Sequence, residues 1–237
     1  MAKKLLGRRI VLTGISRGVG LATARLFLTE GAELIGIARD PARLAEAAHQ
    51  LDPSGERLVT LAVDLGEDGF ETGIVEAVRQ RWGALDILWN NAAVMLDNQA
   101  RGLFDEPTDT FERTMQLNVT SPFRLTRALL PMLELGVEPR IVHVGSGAGT
   151  FAAMQDEIIA SYRLSKWAVN GMTMLMASQL RGKVAVNAFD PGWVKTDLGG
   201  PNAPGTPEES ARGALALATA DFEETGKFWK DGQVIPY

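Results

Sequence analysis

The chain has 237 residues, with 24 Lys+Arg against 29 Asp+Glu, two His, no Cys and a formal charge of −5. Without Cys there is no disulfide framework, thiol nucleophile, Cys-ligated zinc or iron–sulfur cluster, and mild acidity without a basic run argues against a nucleic-acid surface. A hydrophobic share of 46% is enough for the core of one α/β domain, an ordinary organisation at this length.

Lys3, Lys4, Arg8 and Arg9 surround only Leu5 and Leu6, so the start reads as a solvated segment and not as a signal peptide. Residues 9–12 are a short apolar run ending in Thr13-Gly14 and predict a strand. Residues 21–28 carry apolar side chains at helical spacing until Glu30-Gly31 stops them. A strand over 34–38, a helix over 41–51 and a strand over 57–64 follow, the last broken at Asp64-Leu65-Gly66. The alternation continues with a helix over 70–82, a strand over 85–89, one long helix over 108–133 and a strand over 140–144. A helix over 161–180 and a strand over 184–189 complete it.

Six apolar strands separated by amphipathic helices indicate an α/β, doubly wound Rossmann-type fold, a mostly parallel sheet with helices on both faces. No repeat or composition shift divides it, so one domain over 1–237 is expected. The breaker-rich stretch 199–207 follows the sixth strand and reads as a lid at the carboxyl edge, where such sheets bind ligands. The longest uncharged helical run lies between Lys166 and Arg181, too short for a bilayer that needs roughly 20 residues. A cytoplasmic protein without membrane contact is expected. His49 and His143 lack metal-ligand spacing and read as a surface helix histidine and a strand histidine, with no bound metal.

Thr13-Gly14-Ile15-Ser16-Arg17-Gly18-Val19-Gly20 joins the first strand to the first helix. Glycines there let the backbone bend, let a pyrophosphate approach and aim helix N–H groups at its charge, which points to a dinucleotide. The second strand ends Ile37-Ala38-Arg39-Asp40. In one alignment Arg39 and Arg17 face a 2′-phosphate from two sides. In the other, Asp40, about twenty residues past Gly20, accepts the ribose hydroxyls of NAD. NADP(H) is preferred over NAD(H), since a phosphate uses both guanidinium groups.

In Tyr162-Arg163-Leu164-Ser165-Lys166 the i,i+4 spacing puts phenol and ammonium on one helix face. The cation is expected to pull the phenol below its ordinary pKa near 10 and fit it for general acid–base work.

These residues resemble the short-chain dehydrogenases/reductases over nearly the whole chain. The glycine turn matches that family's Thr-Gly-x-x-x-Gly-x-Gly, Asn90-Asn91-Ala92-Ala93 its Asn-Asn-Ala-Gly, Tyr162 and Lys166 its Tyr-x-x-x-Lys, and Pro191-Gly192 its Pro-Gly. Asn118 in the long helix and Ser146 after the fifth strand complete the catalytic group. The resemblance implies that Tyr162 gives a proton to the carbonyl oxygen while Ser146 polarises it. Lys166 would bind the nicotinamide ribose and hold down the Tyr162 pKa, and Asn118 would fix a relay water. Implied cofactor contacts are Gly14, Ser16, Arg17, Gly18, Val19, Gly20, Arg39, Asp64, Leu65, Asn91, Ala92, Tyr162, Lys166, Pro191, Gly192, Val194 and Thr196. Among these, Asp64 would meet the adenine and Thr196 the carboxamide or a phosphate, while the Asn90 backbone would line the adenosine ribose.

Two departures stand out: Ala93 replaces a glycine, and the Ser146-to-Tyr162 interval is a few residues longer than is common in the family. Phe151 and Met154 lie in the lengthened segment, and with Trp193, Ser146 and Tyr162 they are the candidate substrate contacts. The loops 147–161 and 193–207 would then set specificity. Ile37-Ala38-Arg39-Asp40, the segment 191–200 and the ending Gly226-Lys227-Phe228-Trp229-Lys230-Asp231 resemble the family's carbonyl-reductase branch, which implies NADPH-dependent reduction of a small, mainly apolar ketone or aldehyde. Two alternatives are a 3-oxoacyl thioester reductase and a catalytically idle nucleotide-sensing or signalling protein. Trp167, Met172, Met174 and Met176 offer more apolar surface than one helix face needs, and the family's packing habit then implies a homodimer or homotetramer.

Overall fold

β1 (Arg9–Thr13) sends Ile10 and Leu12 into one apolar layer and Val11 into the other, because successive strand side chains point to opposite faces. β2 (Glu33–Ala38) divides in the same way, Leu34 to one side and Ile35 and Ile37 to the other. Such strands need helices on both faces. The computed structural model describes residues 2–97 and 102–237; Met1 and residues 98–101, part of the expected domain span, lie outside the described residues.

The remaining strands are β3 (Leu58–Ala62), β4 (Ile87–Asn90), β5 (Arg140–Val144), β6 (Ala185–Phe189), β7 (Phe228–Lys230) and β8 (Gln233–Ile235). They form one sheet in the order β3-β2-β1-β4-β5-β6-β7-β8, parallel except for the β7–β8 pair. On one face lie α1 (Gly18–Thr29), α2 (Pro41–Leu51) and α7 (Pro207–Ala218). On the other lie α3 (Glu71–Arg81), α5 (Ser121–Leu133) and α6 (Ala160–Gln179), with α4 (Thr108–Met115) leading into α5. Trp89 centres the first layer, edge-on to Phe27 at 5.3 Å and to Phe189 at 5.7 Å between ring centroids. The expected Rossmann-type α/β fold is therefore present, and the chain reverses direction across the sheet between β1 and β4, where ligands enter such folds.

The expected long helix over 108–133 is two helices joined by a π turn at Gln116–Thr120. Pro122 has no N–H to give the Asn118 carbonyl, so the α-helical ladder fails there and the backbone widens by a residue. Three elements were not expected: α7, β7 and β8. The start of α7 was legible, since Thr206 and Glu209 form a reciprocal capping box, 3.2 Å and 2.9 Å, with Pro207 at the first helical position. The two last strands have three residues each, too short for a period-2 signal.

At the amino edge of the sheet Asp86, 2% exposed, accepts the Arg9 N–H at 2.9 Å, its guanidinium at 3.0 and 2.7 Å, and the Val137 N–H at 2.7 Å. This clamp ties β1 to the loop before β5, opposite the ligand edge. Among the described residues, no helix is long and apolar enough to cross a membrane.

Candidate active site

The glycine turn folds back on itself. Gly14 has φ +76°, a backbone that favours glycine, and a β-carbon on Gly20 would stand 2.0 Å from the Gly14 carbonyl oxygen. α1 then begins with no side-chain cap and no acid in its first turn. A cradle this tight, leading to an uncapped helix start, fits a phosphate.

The second motif is tied directly to the first. Thr13 Oγ1 accepts the N–H groups of both Asn91 and Ala92 at 3.0 Å, while Asn91 Nδ2 donates to the carbonyls of Thr13 at 2.9 Å and Gly14 at 3.3 Å. Asn90 instead points into the core and donates to Thr126 Oγ1 at 3.2 Å.

At the end of β2, the Asp40 carboxylate accepts the N–H groups of Ala42 at 3.0 Å and Arg43 at 3.1 Å, capping α2. Arg39 is exposed and, among the described residues, makes no ion pair. Arg17 turns to Asp197 in the 193–207 loop. Ser16, Arg17, Gly18, Arg43 and Asp197 line a cavity of about 390 Å³ beside the glycine turn. Asp64 accepts the Gly66 N–H at 2.8 Å and lies 3.5 Å from Arg113, and the Leu65 carbonyl accepts from Ser121 Oγ at 2.7 Å.

The four catalytic candidates come from separate elements: Asn118 from the π turn, Ser146 from the turn after β5, Tyr162 and Lys166 from the first turns of α6. The Ser146 oxygen accepts the Ala148 N–H at 3.1 Å and lies in hydrogen-bond reach of the Tyr162 phenol. The Asn118 side chain is a clamp: Oδ1 accepts the Val94 N–H at 2.8 Å, and Nδ2 donates to the Val94 carbonyl at 2.8 Å and Ser165 Oγ at 3.0 Å. That leaves the Asn118 carbonyl, deprived of its α-helical donor by Pro122, as the group that can hold a water.

Electrostatically the pair differs from expectation. Burial pushes the Tyr162 phenol up to about 12; the Ser146 hydrogen bond opposes this, and the Asp190 and Asp97 carboxylates add to it. The Lys166 ammonium donates to the Val144 carbonyl at 2.7 Å and sits 5.6 Å from the Tyr162 ring centroid, and burial outweighs the downward pull expected of it on the phenol. Burial in turn lowers Lys166 to about 8, with Asp190 holding it up.

Residues 8–206 match the short chain dehydrogenase family. The chain belongs to this family. It is 32% identical over 193 residues to the 3-oxoacyl-(acyl-carrier-protein) reductase FabG of Vibrio cholerae, covering 81% of this chain and 75% of that protein. With the (+)-neomenthol dehydrogenase of Arabidopsis thaliana it shares 28% identity over 97% of this chain and 98% of that one. An NADPH-bound carbonyl reductase from chicken fatty liver has a similar structure, with TM-score 0.89 at 26% identity over 98% of this chain and 100% of the other.

In this short chain dehydrogenase the segment after β6 covers the glycine turn: the Thr196 methyl stands 3.0 Å from where a β-carbon on Gly18 would be, and Thr196 Oγ1 accepts the Gly199 N–H at 3.1 Å. Pro191, Gly192, Trp193 and Val194 line a second cavity of about 580 Å³ with Thr206, Arg212 and Lys230. Of the expected substrate contacts, Trp193 lines that cavity and donates through Nε1 to the Gly199 carbonyl at 2.7 Å. Met154 is half-buried, and Phe151 is 78% exposed on a 3₁₀ segment, turned to solvent. His49 is exposed on α2, and His143 is buried on β5, its Nδ1 3.1 Å from Thr173 Oγ1, with burial and then Lys166 lowering it to about 4. Among the described residues, no three His, Cys, Asp or Glu are grouped to hold a metal.

Sequence reasoning missed Asp97, Glu106 and Asp190. Helix α6, which carries Tyr162 and Lys166, starts from Ile159 in the left-handed region without a side-chain cap of its own. Its first free N–H groups are taken from a distance, Ser161 by Glu106 at 3.2 Å and Tyr162 by Asp97 at 3.3 Å. No local signal could reveal them, because the caps lie far from α6 in sequence.

Proposed function

We propose that this short chain dehydrogenase is an NADPH-dependent reductase of small, mainly apolar ketones or aldehydes. The observation that carries the reading is the convergence of the Ser146 hydroxyl, the buried Tyr162 phenol and the Lys166 ammonium at the carboxyl edge of the sheet that also carries the glycine turn. The site would hold the dinucleotide with Gly14, Ser16, Gly18, Val19 and Gly20 at the pyrophosphate, Asp64, Leu65, Asn91 and Ala92 along the adenosine side, and Pro191, Gly192, Val194 and Thr196 at the nicotinamide. Arg39, free of ion pairs among the described residues, would take the 2′-phosphate, with Arg17 joining it only on leaving its ion pair with Asp197. Asp40 is occupied as the cap of α2, which favours NADP(H) over NAD(H). The bound cofactor supplies the hydride.

The chain's own groups manage the proton. Tyr162, held protonated far above neutral pH by burial, donates to the carbonyl oxygen as the alkoxide develops. Ser146 donates a hydrogen bond to the same oxygen, an oxyanion-hole role. Lys166 would orient the nicotinamide ribose, and a water on the Asn118 carbonyl would connect it with bulk solvent. The loops 147–161 and 193–207 would select the substrate through Met154 and Trp193, while Phe151, turned to solvent, takes no part. An exposed apolar stripe on α6, Trp167, Met174 and Leu175, supports a homodimer or homotetramer.

The test is consumption of NADPH across a panel of ketones and aldehydes. The reading is overturned if purified protein binds NADPH yet reduces none of them, with Tyr162→Phe indistinguishable from the parent. A second reading, 3-oxoacyl thioester reduction, is favoured by the 32% identity to a 3-oxoacyl-(acyl-carrier-protein) reductase. Higher kcat/KM for thioesters than for simple ketones would select it.

A further inference from the structure

Asp190 is a buried acid for which the proposed reaction has no assigned task. Its side chain is 5% exposed, and it follows β6 directly, one residue before Pro191. Three parts of the site meet on this one carboxylate. Oδ1 accepts the Gly192 N–H at 2.9 Å, on the turn assigned to the nicotinamide. Oδ2 lies 3.7 Å from Lys230 Nζ on β7. The same oxygen is 3.2 Å from where a β-carbon on Gly147 would stand, so only glycine after Ser146 leaves it full room.

A buried carboxylate is costly unless paired and hydrogen-bonded. The fold alone does not require this charge, because an asparagine would still accept from Gly192. Lys230 is a loose counter-ion at the rim, 42% exposed. What the negative charge does face is α6: it favours the protonated forms of both Tyr162 and Lys166, against the burial that drives Lys166 down. The other groups around the pair are the Ser146 hydroxyl, Asp97 from the segment after β4, and His143 on β5, neutral at working pH.

We propose that Asp190, with Lys230 as its counter-ion, is a positioning residue that locks the Pro191–Gly192 turn against the Ser146–Gly147 turn and presents a negative charge toward the Tyr162–Lys166 pair. The inference rests on the reductase reading, but it can be read without turnover. The chain has two tyrosines, so in a Tyr237→Phe background Tyr162 is the only phenol. Phenolate absorbance in the near ultraviolet is followed against pH with NADP⁺ bound.

With Asp190→Asn the phenolate appears at a pH lower by about one unit, and with Lys230→Met, which leaves the carboxylate uncompensated, it appears at a higher pH. The alkaline limb of ketone reduction moves in the same two directions, and both proteins keep their circular dichroism. The proposal is overturned if the onset stays put, or moves the same way, in both folded variants. If Asp190→Asn fails to fold, Lys230→Met at the rim decides alone by the direction of its shift. Should the parent reduce no carbonyl at all, the reductase reading falls, while the phenolate titration still decides the role of Asp190.

Discussion

The Lys166 ammonium donates to the Val144 carbonyl at 2.7 Å, so the buried cation of α6 is held by the strand that leads to Ser146. Charge burial here is unfavourable, since burial lowers Lys166 to about 8. The sign follows: a lowered lysine contributes stability above its unfolded value near 10.4, and loses it as pH falls through about 8. At neutral pH the charged lysine therefore costs stability. Lys166→Met is expected to raise stability by about 1–3 kcal/mol in urea unfolding at pH 7 while abolishing reduction. A loss of stability would show that the Val144 hydrogen bond outweighs the burial.

Tyr162→Phe removes the phenol proposed as proton donor and leaves the aromatic packing. We expect kcat to fall by at least about 10³-fold, with NADPH affinity, measured by fluorescence titration, unchanged. Ser146→Ala is expected to lose about 10²–10³-fold in kcat. Loss of NADPH binding in either variant would mean that the fold, and not the chemistry, had been damaged.

Arg39→Asp tests the choice of cofactor. Loss of a charge-assisted contact to the 2′-phosphate should raise the KM for NADPH by about 10–100-fold and leave the KM for NADH near its parent value. Equal losses with both would return the assignment to Asp40.

Asp86 governs acid stability at the edge away from the site. Burial opposes its ionisation, but the Arg9 guanidinium, the Arg9 N–H and the Val137 N–H together hold it below the usual carboxylate range. A carboxyl lowered in this way contributes stability above its unfolded value near 3.9, and loses it as pH falls through the folded value. Asp86→Asn is expected to cost about 2–3 kcal/mol at pH 7, with a smaller difference from the parent in acid. A pH-independent difference would assign the effect to shape alone.

Trp167 is 51% exposed on α6, with Met174 at 51% and Leu175 at 75%. Light scattering at micromolar concentration should give the mass of a dimer or tetramer, and Trp167→Glu should reduce it to that of the monomer. A parent that scatters as a monomer removes the assembly.

The apolar runs and the glycine turn made the α/β fold legible, because a parallel strand buried on both faces has no polar side to disguise it. Tyr162, Lys166 and Ser146 were legible because their motifs are local. The π turn was written in Pro122, and α7 in Thr206 and Glu209, though a period count alone reads through the first and overlooks the second.

What only the tertiary structure decided is where charges meet. Asp97 and Glu106 cap a helix more than fifty residues away, Asp190 reaches the Ser146 turn and Lys230 at once, and burial outweighs the neighbouring cation in setting the direction of the Tyr162 phenol. Spacing in sequence fixes which side chains share a helix face, but a pKa depends on burial and on every charge within a few ångströms, and those come from other strands.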